Sequence, residues 1–189
     1  MKLALDFDGC ISDTMQSWVD KYNQKYYGDL TKDLITHRDI DVWAFYKKMG
    51  MTLDECMDIF SMAWSDWKNL EPMERHLAQK TKMLSNLCSV DIVTAVRPEN
   101  LPDVKNWLAF HKISYGELVH SNEKEKLDYD IYIDDSESNA MKMLTAGKLV
   151  LLYNQPWNRN VPNTIFGEVS SINRVYNMYH AIDIVRNIV

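Results

Sequence analysis

The 189-residue chain carries no dense run of lysine or arginine, and its formal net charge is −6. A protein that grips a long polynucleotide presents a basic face to the phosphates, so long nucleic acid is disfavoured as a partner; a nucleotide-sized anion is not. Cysteine is scarce. Cys10, Cys56 and Cys88 are odd in number and scattered, with neither a disulfide framework nor paired metal-ligand spacing. A reducing cytoplasm is the expected setting. No apolar run approaches the roughly 20 residues that span a bilayer, so no membrane partner is expected. The opening Met1-Lys2-Leu3-Ala4-Leu5 is interrupted by Asp6 and Asp8 before a signal-peptide core forms. Internal repeats and low-complexity stretches are also missing. What remains is an ordinary globular composition, 46% apolar and 25% charged. Its length allows one well-buried domain, or a core with a small insertion.

Four short apolar segments predict buried parallel strands: Lys2–Phe7, Val90–Thr94, Asp130–Ile133 and Leu149–Tyr153. Leu118–His120 predicts a weaker one. Leu101, Val104 and Leu108 share a helix face, as do Ala140, Met143 and Leu144, with Gly147 placed to end that helix. The tail from Asn173 to Val189 reads as a closing amphipathic helix, and Asn154–Pro162 as a polar, proline-bounded loop. Alternating strands and helices argue for a parallel sheet covered on both faces.

Residues 15–83 break that rhythm. Met15, Trp18, Tyr22 and Tyr26 fit a helical face, and Thr52-Leu53-Asp54-Glu55 has the form of a capping box ahead of Phe60, Trp64 and Trp67. Glu71-Pro72 reads as the start of a further helix through Leu77, Leu84 and Leu87. The stretch is expected to be a helical insertion, 15–83, into an α/β core made of 1–14 and 84–189. It holds four of the six tryptophans, Trp18, Trp43, Trp64 and Trp67. Most of its aromatics read as core; Trp43 and Phe45, near the expected tip, are the candidates for stacking on a base.

The chemistry lies where the strands run out. Asp6 and Asp8 sit at i and i+2 at the end of the first strand, and the turn at Gly9 lets the second swing over the first. Asp134-Asp135 ends another apolar segment. Ligands of open parallel sheets bind at the carboxyl ends of strands, and carboxylates converging there repel one another without a cation. Hard oxygen donors with room for water suit Mg²⁺. Thr94 ends a third strand with a hydroxyl, and Lys124 and Lys126 lie just ahead of the fourth. Two acids, a metal site, a hydroxyl and an ammonium form a set for phosphoryl transfer, where catalysis is mostly positioning and charge neutralisation.

In this order Asp6-x-Asp8-Gly9, Thr94, Lys124 or Lys126, and Asp134-Asp135 resemble the four motifs of haloacid dehalogenase-like phosphatases. The likeness spans the whole expected core. It implies a three-layer Rossmann-like fold with a small helical cap of the C1 type. It also implies that Asp6 attacks phosphorus, that Asp8 serves as acid and then base, and that Mg²⁺ is held by Asp6, the backbone carbonyl of Asp8, and Asp134. Thr94, Ala95 and the lysine would hold the phosphoryl group. A finer resemblance, carried by Asp6–Thr14, the compact cap and Leu152–Asn158, is to the 5′(3′)-deoxyribonucleotidase branch. The expected substrate is thus a small phosphate ester, a nucleoside monophosphate first and a sugar phosphate as the alternative, and a homodimer is compatible with it. Lys124 stands ten residues before Asp134, which suits the nucleotidase branch better than the eight of Lys126. Asp135 reads equally as a metal neighbour or a structural acceptor, and Arg97 as a phosphate contact or a surface ion pair. Asn158 and Arg159 read as shaping their loop. A phospho-accepting receiver domain combines similar groups, but its acceptor lies on the third strand and has no acid two residues later.

Overall fold

The structure, a computed structural model, describes residues 1–167 and 171–188. Strands β1 (Lys2–Leu5), β2 (Ser89–Thr94), β3 (Leu118–His120), β4 (Ile131–Asp134), β5 (Leu149–Tyr153), β6 (Thr164–Phe166) and β7 (Ser171–Val175) form one sheet in the order β3-β2-β1-β4-β5-β7-β6. All neighbours pair in parallel except β6 with β7. From β1 the chain builds outward through β2 and β3, then returns to the other side of β1 with β4. That reversal places a crevice at the carboxyl ends of β1 and β4, the position where doubly wound sheets bind ligands.

Alternation along the strands explains why both faces must be covered. Leu3, Leu5, Ile92, Ile131 and Ile133 join one buried cluster, which α4 (Leu77–Ser85), α5 (Leu101–Phe110) and α7 (Met178–Ile188) complete. Ala4, Val93, Tyr132, Val150 and Ile172 join another, closed by Ala140 and Met143 of α6 (Glu137–Thr145). The α/β layering expected from the sequence is what the chain adopts. Gly147 ends α6 with a φ of +77°, a left-handed conformation that side chains other than glycine resist.

Between β1 and β2 lie α1 (Thr14–Lys25), the short α2 (Phe45–Lys48) and α3 (Leu53–Ser65). Asp13 caps α1 by accepting from the Gln16 amide, and Thr52 and Glu55 form the expected capping box at α3. Met15, Trp18, Tyr22, Phe45, Cys56 and Ile59 make a third cluster. Its centre is Trp18, whose ring stacks on Tyr22 and meets Phe45 edge-on at 4.8 Å.

Two expectations need correction. The segment Asn173–Val189 does not form one helix: Ser171–Val175 is a strand beside β5, and α7 begins at Met178. Val189 itself lies outside the described residues. The strand was hidden because polar Asn173 and Arg174 interrupt its apolar positions, and the buried Arg174 has a task set out below. Nor does a helix start at Glu71-Pro72. Pro72 bridges Ser12, the Met73 amide donates to the Ile11 carbonyl, and His76 takes a φ of +59°. The extended return is held against the β1 loop, and α4 starts only at Leu77. It then packs on β2 and α7, so Leu77 and Leu84 bury themselves at the sheet.

Candidate active site

Asp6 is the first residue beyond β1 and still donates its amide to Ile133 of β4. Its carboxylate oxygen Oδ1 accepts from the Phe7 amide at 2.8 Å and from Lys124 Nζ at 2.7 Å. Burial raises its pKa to about 8; the Lys124 ammonium opposes the rise, and Asp134 and Asp8 add to it. The chain then turns tightly, with the Ile11 and Ser12 amides both donating to the Phe7 carbonyl. Gly9 is required here on two counts. Its φ is +69°, and a Cβ would come within 2.2 Å of Asp135 Oδ2.

That turn aims Asp8 back at the crevice. Its Oδ1 accepts from Thr14 Oγ1 at 2.6 Å and from Trp64 Nε1 at 2.9 Å. Thr14 opens α1 and Trp64 lies on α3, so the inserted helices supply both donors. Burial raises the Asp8 carboxyl above the ordinary carboxylate range, against the pull of those two bonds.

Lys124 stands in a short 3₁₀ turn whose carbonyl accepts from the Tyr132 hydroxyl. Its ammonium, almost wholly buried, bridges Asp6 and Asp134 Oδ2 at 2.7 and 2.8 Å. Those anions raise its pKa although burial alone would lower it. Lys126 points the other way and pairs with Glu123 at the surface. The geometry thus puts Lys124, which the spacing to Asp134 favoured, among the carboxylates and Lys126 at the surface.

The acidic pair divides its work as well. Asp134 is enclosed by protein donors: Lys124, the Ser136 amide at 2.8 Å and the Asn139 side chain at 3.3 Å. Asp135 accepts from Trp157 Nε1 at 2.9 Å and faces the crevice. Burial first, then the charges of Asp6 and Asp134, push its carboxyl well up. Ligand atoms of Asp6, Asp135 and Cys10 lie within 4.8 Å of one another. Asp134, expected as a metal ligand, is not in that group. The residues present fit a hard divalent cation: among the described residues the buried carboxylates of Asp6, Asp134 and Asp135 gather at one ammonium, that of Lys124, which pairs with Asp6 and Asp134, leaving an excess of oxygen donors.

Thr94 is fully buried, and its Oγ1 accepts from the Val96 amide at 3.1 Å, which shapes the loop; Ala95 and Val96 line the cavity beyond it. The cavity measures about 280 Å³, and Asp6, Asp8 and Lys124 lie at its polar end. Met15, Met57, Phe60, Trp64, Trp43 and Trp157 form its apolar wall. Trp43 lines the cavity and is half-exposed there. Phe45 is not: it is packed against Trp18 in the third cluster and does not line the cavity. Arg97 meets Asp58 of α3 in an exposed ion pair.

Sequence reasoning missed Trp64 as a donor to Asp8, and Gln155, Trp157 and Arg174 as part of the site's frame. Gln155 and Trp157 lie in the Leu152–Asn158 stretch that carried the finer resemblance, and Arg174 is a charged residue beside Val175 in a segment read as helix.

Comparison with known proteins agrees with this geometry. Residues 1–184 match the family described as 5′ nucleotidase, deoxy (pyrimidine), cytosolic type C protein. A nucleotidase of Clostridium acetobutylicum is 24% identical over 169 residues, covering 86% of this chain and 85% of its own length. A Chlorobaculum tepidum protein provisionally assigned as a 5′(3′)-deoxyribonucleotidase is 32% identical over 76 residues, 40% of this chain and 36% of its own. A haloacid dehalogenase-superfamily hydrolase of subfamily IA from Geobacter sulfurreducens superposes with a TM-score of 0.59 at 10% identity, over 97% of this chain and 95% of that one. The strand-end carboxylates, the reversal of strand order beside them and the match along nearly the whole chain converge on one assignment: the chain belongs to the cytosolic type C 5′ nucleotidase family and is a phosphatase of the haloacid dehalogenase-like superfamily.

Proposed function

We propose that this phosphatase is a Mg²⁺-dependent nucleotidase that releases phosphate from nucleoside monophosphates through an aspartyl phosphate on Asp6. The observation that carries the reading is Asp8. A second carboxyl, two residues after Asp6, is held at the crevice by Thr14 and Trp64 in surroundings that favour its protonated form. An ester hydrolase needs such a proton donor beside its nucleophile.

In this reading a carboxylate oxygen of Asp6 attacks phosphorus while the bond to the leaving oxygen breaks. Asp8 gives its proton to that oxygen. The resulting Asp8 carboxylate then takes a proton from water, which attacks the phosphorus of the aspartyl phosphate and regenerates Asp6. Lys124 and the Thr94–Val96 loop hold the phosphoryl oxygens. Asp6, Asp135 and the backbone carbonyl of Asp8 would hold the metal, with Asp134 orienting Lys124; this replaces the expectation that Asp134 is a ligand. When bound, the cation neutralises the carboxylates and the phosphoryl charge. The insertion from α1 to the Leu70–His76 return acts as the cap. Its aromatic wall favours a flat leaving group, and the chemistry is that of a cytoplasmic small-molecule enzyme.

A panel of 5′- and 3′-nucleotides, deoxynucleotides and sugar phosphates, assayed at fixed Mg²⁺, tests this. Nucleoside monophosphates should give the highest kcat/KM, and activity should vanish in EDTA. Faster turnover of a sugar phosphate would defeat the substrate assignment, and full turnover in EDTA the metal.

A further inference from the structure

The segment after β5 reads in sequence as a polar loop, yet it is built as a rigid plank. Arg174, only 6% exposed, donates to Asn154 Oδ1, Asn158 Oδ1, the Asn158 carbonyl and the Val161 carbonyl at 2.6–2.9 Å. It makes no ion pair among the described residues, so a buried charge is satisfied entirely by the loop it braces. From this plank three side chains reach the acidic loops. Gln155 donates to the Gly9 carbonyl at 2.6 Å. Asn158 donates to the Asp135 carbonyl at 2.8 Å. Trp157 donates to Asp135 Oδ2 at 2.9 Å.

Gln155 and Asn158 reach on to Met73 and to the Tyr153 carbonyl, whereas the second contact of Trp157 is with two rings. Its ring, 4% exposed, meets His37 at 5.9 Å and Trp43 at 6.4 Å between centroids, and both belong to the inserted segment between α1 and α2. One indole therefore bonds the metal-side carboxylate through its nitrogen and packs its ring beside those of His37 and Trp43. We infer that Trp157 is a positioning residue: it fixes Asp135 for the cation and links that setting to occupancy of the cap tip. This rests on the reading of Asp135 as a metal ligand. Fixing one carboxylate oxygen with an N–H leaves the other oriented. Such outer partners are typically worth about 10–100-fold in metal affinity. Whatever presses on Trp43 and His37 bears on the same ring, and any resulting coupling must run both ways.

The experiment is Trp157→Phe, which keeps an aromatic ring and removes the N–H. Calorimetric titration with Mg²⁺ alone should show a dissociation constant raised about tenfold or more. Trp43→Ala, which keeps the Trp157 N–H bond to Asp135, should leave that constant near the parent value. A Trp157→Phe protein that binds Mg²⁺ as tightly as the parent overturns the inference. A measurement on the unmutated protein serves if that variant does not fold. The indole N–H resonance of Trp157, assigned through its contacts to His37 and Trp43, should shift with Mg²⁺ alone and again with a nucleoside alone. A resonance unmoved by Mg²⁺ overturns the inference. Full turnover of the parent in EDTA would instead remove the metal reading, and this inference with it. A Mg²⁺ requirement untouched by Trp157→Phe removes this inference alone.

Discussion

The strand-end loops and the inserted helices sit face to face across one cavity, yet they are held together by different forces. In the loops nearly every contact is polar and directional: Asp6 with Lys124, Asp8 with Thr14, Asp134 with the Ser136 amide, each between 2.6 and 2.8 Å. In the insertion the organising contacts are rings, Trp18 on Tyr22 and Phe60 on Trp64, which tolerate changes of angle. A buried polar group left unpaired costs its full desolvation, so the loops admit one arrangement. Packed rings require volume and little else. The loops are thus built for chemistry and the insertion for shape. Trp64 joins them, an aromatic of α3 whose N–H serves Asp8 beside the hydroxyl of Thr14.

Substitutions in the loops break function with little change of volume, and there the effects should be largest. Asp6→Asn should lower turnover by at least on the order of 10⁴-fold, as loss of a nucleophile does, and abolish trapping of a beryllium fluoride adduct with Mg²⁺. A burst of phosphate from that variant, with the label on Asp8, would reverse the assignment. Asp8→Asn comes next. It should retain the adduct and lose about 10²–10⁴-fold on alkyl esters, the usual range for a positioned acid. An aryl ester, whose departure needs little proton donation, should lose less. Burst and steady-state phases must both be measured, because slow hydrolysis of the phospho-enzyme can mask the difference.

The same contrast governs how much was legible in the sequence. Strand ends were readable to within one or two residues, and the acids there were found because apolar runs that end in carboxylates are rare. Lys124 was favoured over Lys126 only through a resemblance in spacing, and which of Asp134 and Asp135 faces the cavity was not readable. Neighbouring residues differ only in direction, and direction is set by the Tyr132 hydroxyl under Lys124 and by the Trp157 indole. β7 was missed because its buried polar residue, Arg174, serves the plank and not the core. Phe45 was misplaced because identity alone does not tell a wall aromatic from a core one.

That last point predicts a stability effect where an effect on specificity had been expected. Phe45→Ala should cost about 3–5 kcal/mol in a denaturant melt, the usual range for a buried phenylalanine. The ratio of kcat/KM between two esters should stay as in the parent. A shifted ratio at full stability would return Phe45 to the cavity wall.

A pH experiment separates the two regions by charge. Asp6, at about 8, and Asp8 and Asp135, also raised, chiefly by burial, all bind protons in the folded chain that the unfolded chain has already released. Stability of the metal-free protein should therefore fall as pH rises from the ordinary carboxylate range towards about 8. The raised Lys124 keeps its charge throughout that window and adds no slope there. Mg²⁺ should stabilise more at pH 8 than at pH 5. At a hundredfold excess over its dissociation constant the gain is about 2.7 kcal/mol, on the order of 5–10 °C in Tm for a chain of this size. Equal Mg²⁺ stabilisation at both pH values would mean that the cation does not compete with protons for these carboxylates.

The smallest effect is expected at Trp43, where the two regions meet and neither force dominates. Its ring is 49% exposed, so it loses little burial on truncation and the fold should survive unchanged. It lines the cavity, with its ring tilted against that of Trp157 at 6.4 Å between centroids. Base stacking on an aromatic is worth about 1–3 kcal/mol. A half-exposed ring belongs at the low end, so Trp43→Ala should raise the nucleotide KM by roughly fivefold, about 1 kcal/mol. A small generic ester, with no base to stack, should keep its KM, and Tm should stay near the parent value. Equal losses on both esters would mean that Trp43 supports the insertion's packing as Phe45 does. The contrast between a chemical region and a shaping one would then extend to the tip without exception.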